Sequence, residues 1–96
     1  MLHLIFQSPI EIAILERIDS EDDVVFLGNS VLRILKKGSL CDILTQLLKS
    51  NRLCVLADDI EVRGIVTAEL VNGIEVIDYS ELVTLTVKNP VIQTWS

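Results

Sequence analysis

Short apolar runs alternate along the chain with longer segments in which apolar residues recur at helical spacing. Four runs are largely apolar and bounded by polar or glycine-containing stretches, as is typical of strands in a sheet that is covered on both faces. We predict strands at residues 2–6, 24–27, 53–57 and 74–77. The segments between them must then carry the helical connections.

The segment after the first run predicts an amphipathic helix. We expect Ser8 as its N-cap and Pro9 as its first helical residue, where the missing N–H of proline costs nothing. Ile10, Ile14 and Ile18 recur at i, i+4 and i+8, which predicts one apolar face packed on the sheet. The acidic residues that follow this helix are expected to form a solvated turn.

Two further helices are predicted between the second and third strands. The first covers residues 31–37, with lysines at its end and Gly38 as its stop. Ser39 is expected to cap the second, in which leucine and isoleucine recur at helical spacing over residues 40–48.

The last two helices are predicted from acidic residues placed where a helix begins. Asp58 and Asp59 are expected to cap a short helix that runs to Arg63. Asp78 is expected to cap residues 79–87, although the β-branched residues near the end predict that this helix is short or partly extended. Asp58 and Asp59 also suggest an acid–base pair, but capping explains them more simply.

The order of these elements predicts the fold class. Strands that alternate with helical segments are typical of α/β proteins, because a parallel sheet needs a crossover between consecutive strands. We therefore predict one small domain over residues 1–96, with a mostly parallel sheet of four to five strands and helices on both faces. A chain of this length holds one core.

Charge and composition narrow the classes of function. The chain has 14 acidic and 8 basic residues, a formal net charge of −6, and neither half is basic. Direct binding of nucleic acid is not expected, because it needs clustered lysine and arginine. Half of the residues are hydrophobic, which predicts contact with another chain. No apolar run is long enough to cross a membrane. No secretory signal is recognisable, so we expect a cytoplasmic protein.

The residues that carry chemistry are few. Cys41 and Cys54 are the two cysteines and His3 is the one histidine. Two cysteines are too few for a disulfide scaffold, and the set is poor in zinc ligands. We predict no metal site and no cofactor. His3 beside the first strand is interpreted as a hydrogen-bonded structural group.

The C-terminal part of the chain resembles a known family. Residues 76–90, VIDYSELVTLTVKNP, followed by Trp95, resemble the ending of the TusB/DsrH proteins, small members of the DsrE/DsrF/DsrH-like group. Met1–His3 with Ser8-Pro9 resembles their N-terminus, and residues 56–64 are similar to their central segment. The resemblance is closer to the TusB branch, because Arg17 stands about where the first helix of DsrH-like chains is expected to carry a cysteine.

The resemblance implies a role in sulfur transfer. TusB-like chains are sulfur-relay subunits for 2-thiolation of the tRNA wobble uridine, whereas DsrH-like chains serve sulfur oxidation. Both assemble with two related subunits, of the DsrE/TusD and DsrF/TusC types, in two copies each. The resemblance also implies that the committed carrier cysteine lies on the DsrE/TusD-type partner, so this chain is expected to be a structural and docking subunit.

Cys54 is the candidate for a sulfur carrier within this chain. It lies in an apolar strand that leads towards Arg63 and Gly64, and the catalytic subunits of the family similarly place a cysteine in a strand before Arg-Gly. The other interpretation is a buried small hydrophobic residue, since free cysteine is among the most buried residue types. Cys41 follows Ser39 closely and could feel a helix dipole, but nothing nearby supplies a base.

Tyr79 and Trp95 are the candidates for contact with other chains, because aromatic side chains are enriched where chains meet. Trp95 lies in a tail with no other anchor, so it either meets a partner or folds back on its own domain. We interpret the chain as a subunit that acts through assembly. The alternatives are a DsrH-type subunit, a sulfurtransferase that uses Cys54, and a homo-oligomeric domain without a sulfur role.

Overall fold

The computed structural model describes every residue from Met1 to Ser96 and contains one parallel sheet in the strand order β4-β3-β2-β1-β5. The four predicted strands are confirmed, and a fifth is present that the sequence pattern did not indicate. The strands are β1 (Leu2–Ile5), β2 (Asp23–Phe26), β3 (Arg52–Leu56), β4 (Glu75–Ile77) and β5 (Ile92–Trp95).

Six helical segments connect the strands: α1 (Ile12–Glu16), a first 3-10 helix (Gly28–Arg33), α2 (Cys41–Leu47), α3 (Ala57–Glu61), a second 3-10 helix (Thr67–Glu69) and α4 (Tyr79–Lys88). Strands β1 to β4 advance in one direction, so right-handed crossovers place their connections on one face of the sheet. The connection from β4 to β5 runs back across the sheet and places α4 on the other face. The predicted α/β architecture with helices on both faces is confirmed.

The two faces of the sheet contain separate cores. Alternate strand residues such as Val24 and Phe26 belong to a cluster of 18 buried residues beneath α1, α2 and α3. Val25 and Leu27 point to the opposite face, where the cluster has only 7 buried residues and includes Leu85 of α4. All four residues of β2 are buried because this strand lies in the middle of the sheet.

Strand β5 is held to β1 at the edge of the sheet. The N–H of Leu2 donates to the carbonyl oxygen of Val91 at 3.0 Å, and the N–H of Phe6 donates to the carbonyl oxygen of Trp95 at 2.9 Å. Three of the four β5 residues are exposed, so the strand lacks the apolar run that marks the others. Main-chain pairing therefore creates a strand that the hydrophobic pattern does not predict.

The predicted start of the first helix is wrong. α1 begins at Ile12, and Glu11 is its N-cap instead of Ser8. The hydroxyl of Ser8 accepts a hydrogen bond from Nε of Arg33 at 3.2 Å, so it contacts another segment and caps nothing. The side chain of Gln7 instead accepts the N–H of Glu11 at 3.1 Å, upstream of the helix.

The predicted helix over residues 31–37 is replaced by the first 3-10 helix, which begins at Gly28 directly after β2. Gly28 has a φ of +58°, a left-handed conformation that suits glycine at this turn. The predicted cap Ser39 is also wrong, because α2 begins at Cys41 without any side-chain cap.

Asp58 and Asp59 lie inside the first turn of α3 and do not cap it, so that prediction is wrong. Their carboxylates still lie near the positive end of the helix dipole. Asp78 does cap α4: its carboxylate accepts the N–H of Glu81 at 2.8 Å, and the Glu81 carboxylate accepts the N–H of Asp78 at 3.3 Å. This reciprocal capping fixes the start of a full ten-residue helix, so the predicted shortening is wrong.

The acidic run after α1 is not a solvated turn throughout. Glu21 is exposed, but Asp22 and Asp23 are buried. The side-chain amide of Asn51 donates to the carbonyls of Asp19 and Asp22 at 2.6 and 3.1 Å and ties this turn to the segment before β3. Buried carboxylates persist there because other groups donate to them, which the sequence pattern does not reveal.

Candidate functional site: the buried thiol, the sheet ends and the outer surface of α4

Cys54 lies in the middle of β3 and points to the face of the sheet that α4 covers. Its side chain is fully buried, in the cluster that also contains Val25, Leu56 and Ile77. No sulfur atom of a donor can reach the thiol unless α4 moves. Cys54 is thus a small buried residue in an apolar core, as the alternative to a sulfur carrier predicts.

The electrostatic environment of Cys54 opposes a thiolate. Burial raises the pKa of the thiol to about 11, and the carboxylates of Glu75, Asp23 and Glu81 add to that rise, whereas the positive charge of Arg52 opposes it. At pH 8 roughly one thiol in a thousand is then ionised. A sulfur carrier needs an accessible thiolate, so the geometry of Cys54 does not supply one.

Cys41 is the first residue of α2 and is half-buried. Its carbonyl accepts the hydroxyl of Thr45 at 2.8 Å, which is an ordinary contact within a helix. Its thiol has no ion pair or hydrogen bond to an acid or a base.

Arg63 bonds to residues that follow the carboxyl ends of β2 and β3. Ligand sites are common at this end of a parallel sheet. The guanidinium of Arg63 donates to the side chain of Asn29 at 2.8 Å and to the carbonyl of Asp59 at 2.8 Å. The carboxylate of Asp59 accepts the N–H of Gly28 at 2.9 Å and lies 3.7 Å from the guanidinium. The polar groups of Arg63, Asp59 and Asn29 thus bond to one another and to the main chain, so this cluster holds the two strand ends together.

The acidic pair of α3 does not form an acid–base pair. The carboxylate of Asp59 is engaged by Gly28 and Arg63, and Asp58 makes no side-chain hydrogen bond. No group of three or more histidine, cysteine, aspartate or glutamate side chains lies close enough together to hold a metal ion.

Trp95 folds back onto its own domain through His3, the buried histidine of β1. The indole Nε1–H donates to Nδ1 of His3 at 3.2 Å, and the two rings stack with their centroids 6.4 Å apart. Because the indole nitrogen can only donate, Nδ1 accepts and the ring proton lies on Nε2, which donates to Asp22 at 2.9 Å. The prediction that His3 is a hydrogen-bonded structural group is confirmed.

Asp22 joins three segments at the amino ends of the strands. Burial alone would raise its pKa, but hydrogen bonds from His3, the amino group of Met1 and the N–H of Asp19 outweigh burial and lower it. The carboxylate is thus held ionised by its donors. Through His3 and Trp95, the network connects the turn before β2 to the edge strand β5.

Tyr79 begins α4, and its side chain is 67% exposed. Two further apolar residues of α4 are exposed at the same helical spacing, Val83 at 44% and Val87 at 81%. Leu82 and Leu85 face the sheet. α4 is therefore apolar on its inner side and also along part of its outer side, unlike an ordinary surface helix.

The structure does not bring the three candidate residues together. Cys54 lies beneath α4, Trp95 packs against the larger core on the other face, and Tyr79 follows β4 at the edge of the sheet remote from β5. Val83 and Val87 were not among the contact residues predicted from the sequence. Val83 and Val87 follow Tyr79 by four and eight residues, and this spacing would have indicated the outer apolar stripe, because Leu82 and Leu85 already account for the inner side.

None of the helices combines the length and the apolar character that crossing a lipid bilayer requires.

Comparison with known proteins identifies relatives over the whole chain. The family described as DsrH like protein matches residues 6–91. The chain is 37% identical to protein TusB of Pectobacterium parmentieri, over 99% of this chain and 100% of that protein. It is 33% identical to protein TusB of Cronobacter sakazakii, with the same shares covered. The resemblance found in the sequence is confirmed.

Two solved structures share the fold. A protein of unknown function from Methanobacterium thermoautotrophicum superposes with a TM-score of 0.77 at 13% identity, over 97% of this chain and 95% of the other. The ychN protein of E. coli superposes with a TM-score of 0.75 at 16% identity, over 98% and 97% of the two chains. At these identities the likeness concerns the fold.

Proposed function

Because the chain belongs to the family of DsrH-like proteins, we propose that it is a subunit of a sulfur-relay complex that serves 2-thiolation of the tRNA wobble uridine. The observation that carries this proposal is the full-length similarity to proteins named TusB. Such a complex passes sulfur as a persulfide. The outer sulfur of the donor is attacked by an acceptor thiolate, and the donor cysteine leaves as a thiolate.

This subunit does not carry the sulfur itself in our proposal. Transfer needs a thiolate that a donor persulfide can reach, and Cys54 is fully buried with a raised pKa. Cys41 is more accessible but has no base or cation in contact with its thiol. Both observations support a structural and docking role, with the carrier cysteine on a partner chain.

The proposed partners are two related chains of the DsrE/TusD and DsrF/TusC types, present in two copies each. The formal charge of −6 supports a division of labour, in which the tRNA and any basic sulfur donor are bound by other subunits. This chain needs neither a metal nor a cofactor for that role. The family resemblance supports a cytoplasmic location.

The experiment is complementation of a host strain that lacks this chain, with 2-thiouridine in total tRNA nucleosides measured by mass spectrometry. We expect the deletion to abolish wobble thiolation and the wild-type chain to restore it. A chain with both Cys41→Ala and Cys54→Ala should restore it equally. Alanine is preferred to serine at position 54, because a hydroxyl among apolar residues would destabilise the fold.

Each result has a distinct meaning. Loss of thiolation with Cys54→Ala alone, in a chain that still folds, would show that Cys54 is a carrier. Normal thiolation in the deletion strain would contradict the tRNA role and favour a DsrH-type subunit in sulfur oxidation, which the family match also accommodates.

A further inference from the structure

Strand β5 has one side chain in contact with the larger core. The strand pairs with β1 alone, at the edge of the sheet, and Ile92, Gln93 and Thr94 are exposed. Trp95 is half-buried and packs at the margin of the larger core. Apart from main-chain bonds, Trp95 is thus the residue that attaches β5 to the domain.

The hydrogen bond between Trp95 and His3 requires a neutral imidazole. Nε2 of His3 carries the proton that it donates to Asp22 at 2.9 Å, and Nδ1 has the lone pair that accepts the indole N–H at 3.2 Å. A second proton can enter the ring only at Nδ1. Two N–H groups would then point at each other, and the hydrogen bond to Trp95 would be lost.

The other hydrogen bond of His3 survives that proton. Nε2 remains a donor to Asp22, and the contact becomes an ion pair between a charged imidazole and a carboxylate. Burial opposes the ionisation of Asp22, but its hydrogen bonds outweigh burial and lower its pKa, so it stays ionised in the range where histidine changes charge. A proton on His3 therefore breaks the bond to Trp95 and strengthens the bond to Asp22.

Few other charged groups lie near His3. The amino group of Met1 contacts the other oxygen of the Asp22 carboxylate at 3.2 Å. The residues paired with His3 in β2 and β5 are uncharged. Asp23 points to the opposite face, where it contacts the end of α4. The charged side chains of α1 and of the turn after it are exposed, namely Glu16, Arg17, Asp19 and Glu21.

We propose that the contact between His3 and Trp95 is a pH-sensitive switch, in which protonation of His3 at Nδ1 releases the indole and leaves β5 held by its main-chain bonds. Trp95 is bound while His3 is neutral and is released as the pH falls through the range in which histidine becomes charged. Stacking does not replace the lost bond, because the ring centroids are 6.4 Å apart, beyond the distance of about 6 Å at which a cation is attracted to an aromatic face. This switch does not depend on the sulfur-relay role.

The chain contains one tryptophan and one histidine, so each side of the contact has its own probe. Fluorescence of Trp95 is recorded from about pH 8 to about pH 5, the interval in which histidine changes charge, with acrylamide as a quencher. We expect the emission maximum to move to longer wavelength and quenching to increase as the pH falls, with an unchanged circular dichroism spectrum. His3→Gln has no proton to gain in this interval and should show neither change.

The cause is tested by following the protonation of His3 through the NMR signals of its ring protons. Trp95→Phe keeps an aromatic ring and removes the N–H that favours neutral His3, so the midpoint should rise by about 0.5–1 pH unit. Asp22→Asn removes the charge that favours protonated His3, so the midpoint should fall by about 1 pH unit. Tyr79→Phe, on α4, is the control and should leave the midpoint unchanged.

Four results would overturn the switch. The first is a Trp95 emission that stays constant over this interval. The second is a fall in intensity without a shift of the maximum or a gain in quenching, because charged His3 would then keep the indole in place. The third is a His3 midpoint that Trp95→Phe leaves unchanged. The fourth is a loss of the circular dichroism signal together with the emission change, because acid would then unfold the chain as a whole.

Discussion

The two faces of the sheet differ in how completely the chain covers them. The face with α1, α2 and α3 has a core of 18 buried residues, and half-buried side chains such as Trp95 close its margin. The face with α4 has 7 buried residues, and exposed apolar side chains stand beside them. Both faces belong to the same five strands, so the difference arises from the connections and not from the sheet.

The apolar residues of the chain are of two kinds, those buried in the two cores and those left exposed at the surface. A small domain buries only about 60–65% of its unfolded surface, so some apolar residues must remain outside. Here five of the eleven large exposed hydrophobic residues lie on α4 or where β5 begins, and the other six lie elsewhere on the surface. The larger core stabilises the fold, and three of the exposed residues form the apolar outer side of α4.

The largest expected effect is in the larger core. Phe26→Ala removes a fully buried ring and should lower the free energy of unfolding by about 3–5 kcal/mol. Urea denaturation followed by circular dichroism measures the loss. Phe6→Ala is the matched control, because Phe6 is 42% exposed at the end of the neighbouring strand. Equal losses for the two variants would contradict the assignment of stability to the larger core.

The next largest loss in the free energy of unfolding is expected in the smaller core beneath α4. Leu85 is the one residue of this helix that is fully buried, and Leu85→Ala should cost about 2–3 kcal/mol, at the lower end of the range for such changes because α4 borders solvent. Urea denaturation followed by circular dichroism also measures this loss. Val83→Ala, on the outer side of the helix, should change the free energy of unfolding by less than about 0.5 kcal/mol. A larger effect at Val83 would show that the stripe packs within the monomer.

A smaller effect is expected at the network that holds β5. Asp22→Asn replaces one carboxylate oxygen with an NH2 group, so either His3 or the amino group of Met1 loses its acceptor, and the change should cost about 1–2 kcal/mol at pH 7. The folded-state pKa of Asp22 is lowered, so its contribution is present above the unfolded value of 3.8 and is lost as the pH falls through the folded value.

The measurement is the difference between wild type and Asp22→Asn in urea at pH 7 and at pH 3. The difference should shrink at the lower pH, because protonation of Asp22 in the wild type also removes the charge. Asp42→Asn, at an exposed position in the first turn of α2, is the control. A difference that grows on acidification would contradict the assigned direction of the pKa shift.

The sequence predicted the parts of the fold that depend on buried side chains. Strands β2 and β3 are covered on both faces, so their apolar runs are unambiguous, and Asp78 at the start of α4 is capped as its residue type indicates. Ser8 and Asp59 do not cap helices because their side chains bond to Arg33 and to the N–H of Gly28. Ser39 and Asp58 also do not cap, without such a contact. Such long-range contacts have no local signal.

The candidate site was less predictable for the same reason. The burial of Cys54 follows from its position in an apolar strand, and the sequence indicated it. The position of Trp95 depends on the pairing of β5 with β1, and its hydrogen bond joins residues 92 positions apart. No pattern in the chain shows that the tail returns to its first strand.

The smallest expected effect concerns α4 alone and is the sharpest test of the comparison. Val87 is 81% exposed on the outer side of the helix, so Val87→Glu should change the free energy of unfolding by less than about 0.5 kcal/mol. Urea denaturation measures the change, with Leu85→Ala on the inner side of the same helix for comparison. A loss with Val87→Glu as large as that with Leu85→Ala would show that the outer side of α4 is packed within the folded chain, and the contrast between the two faces of the sheet would then need a different explanation.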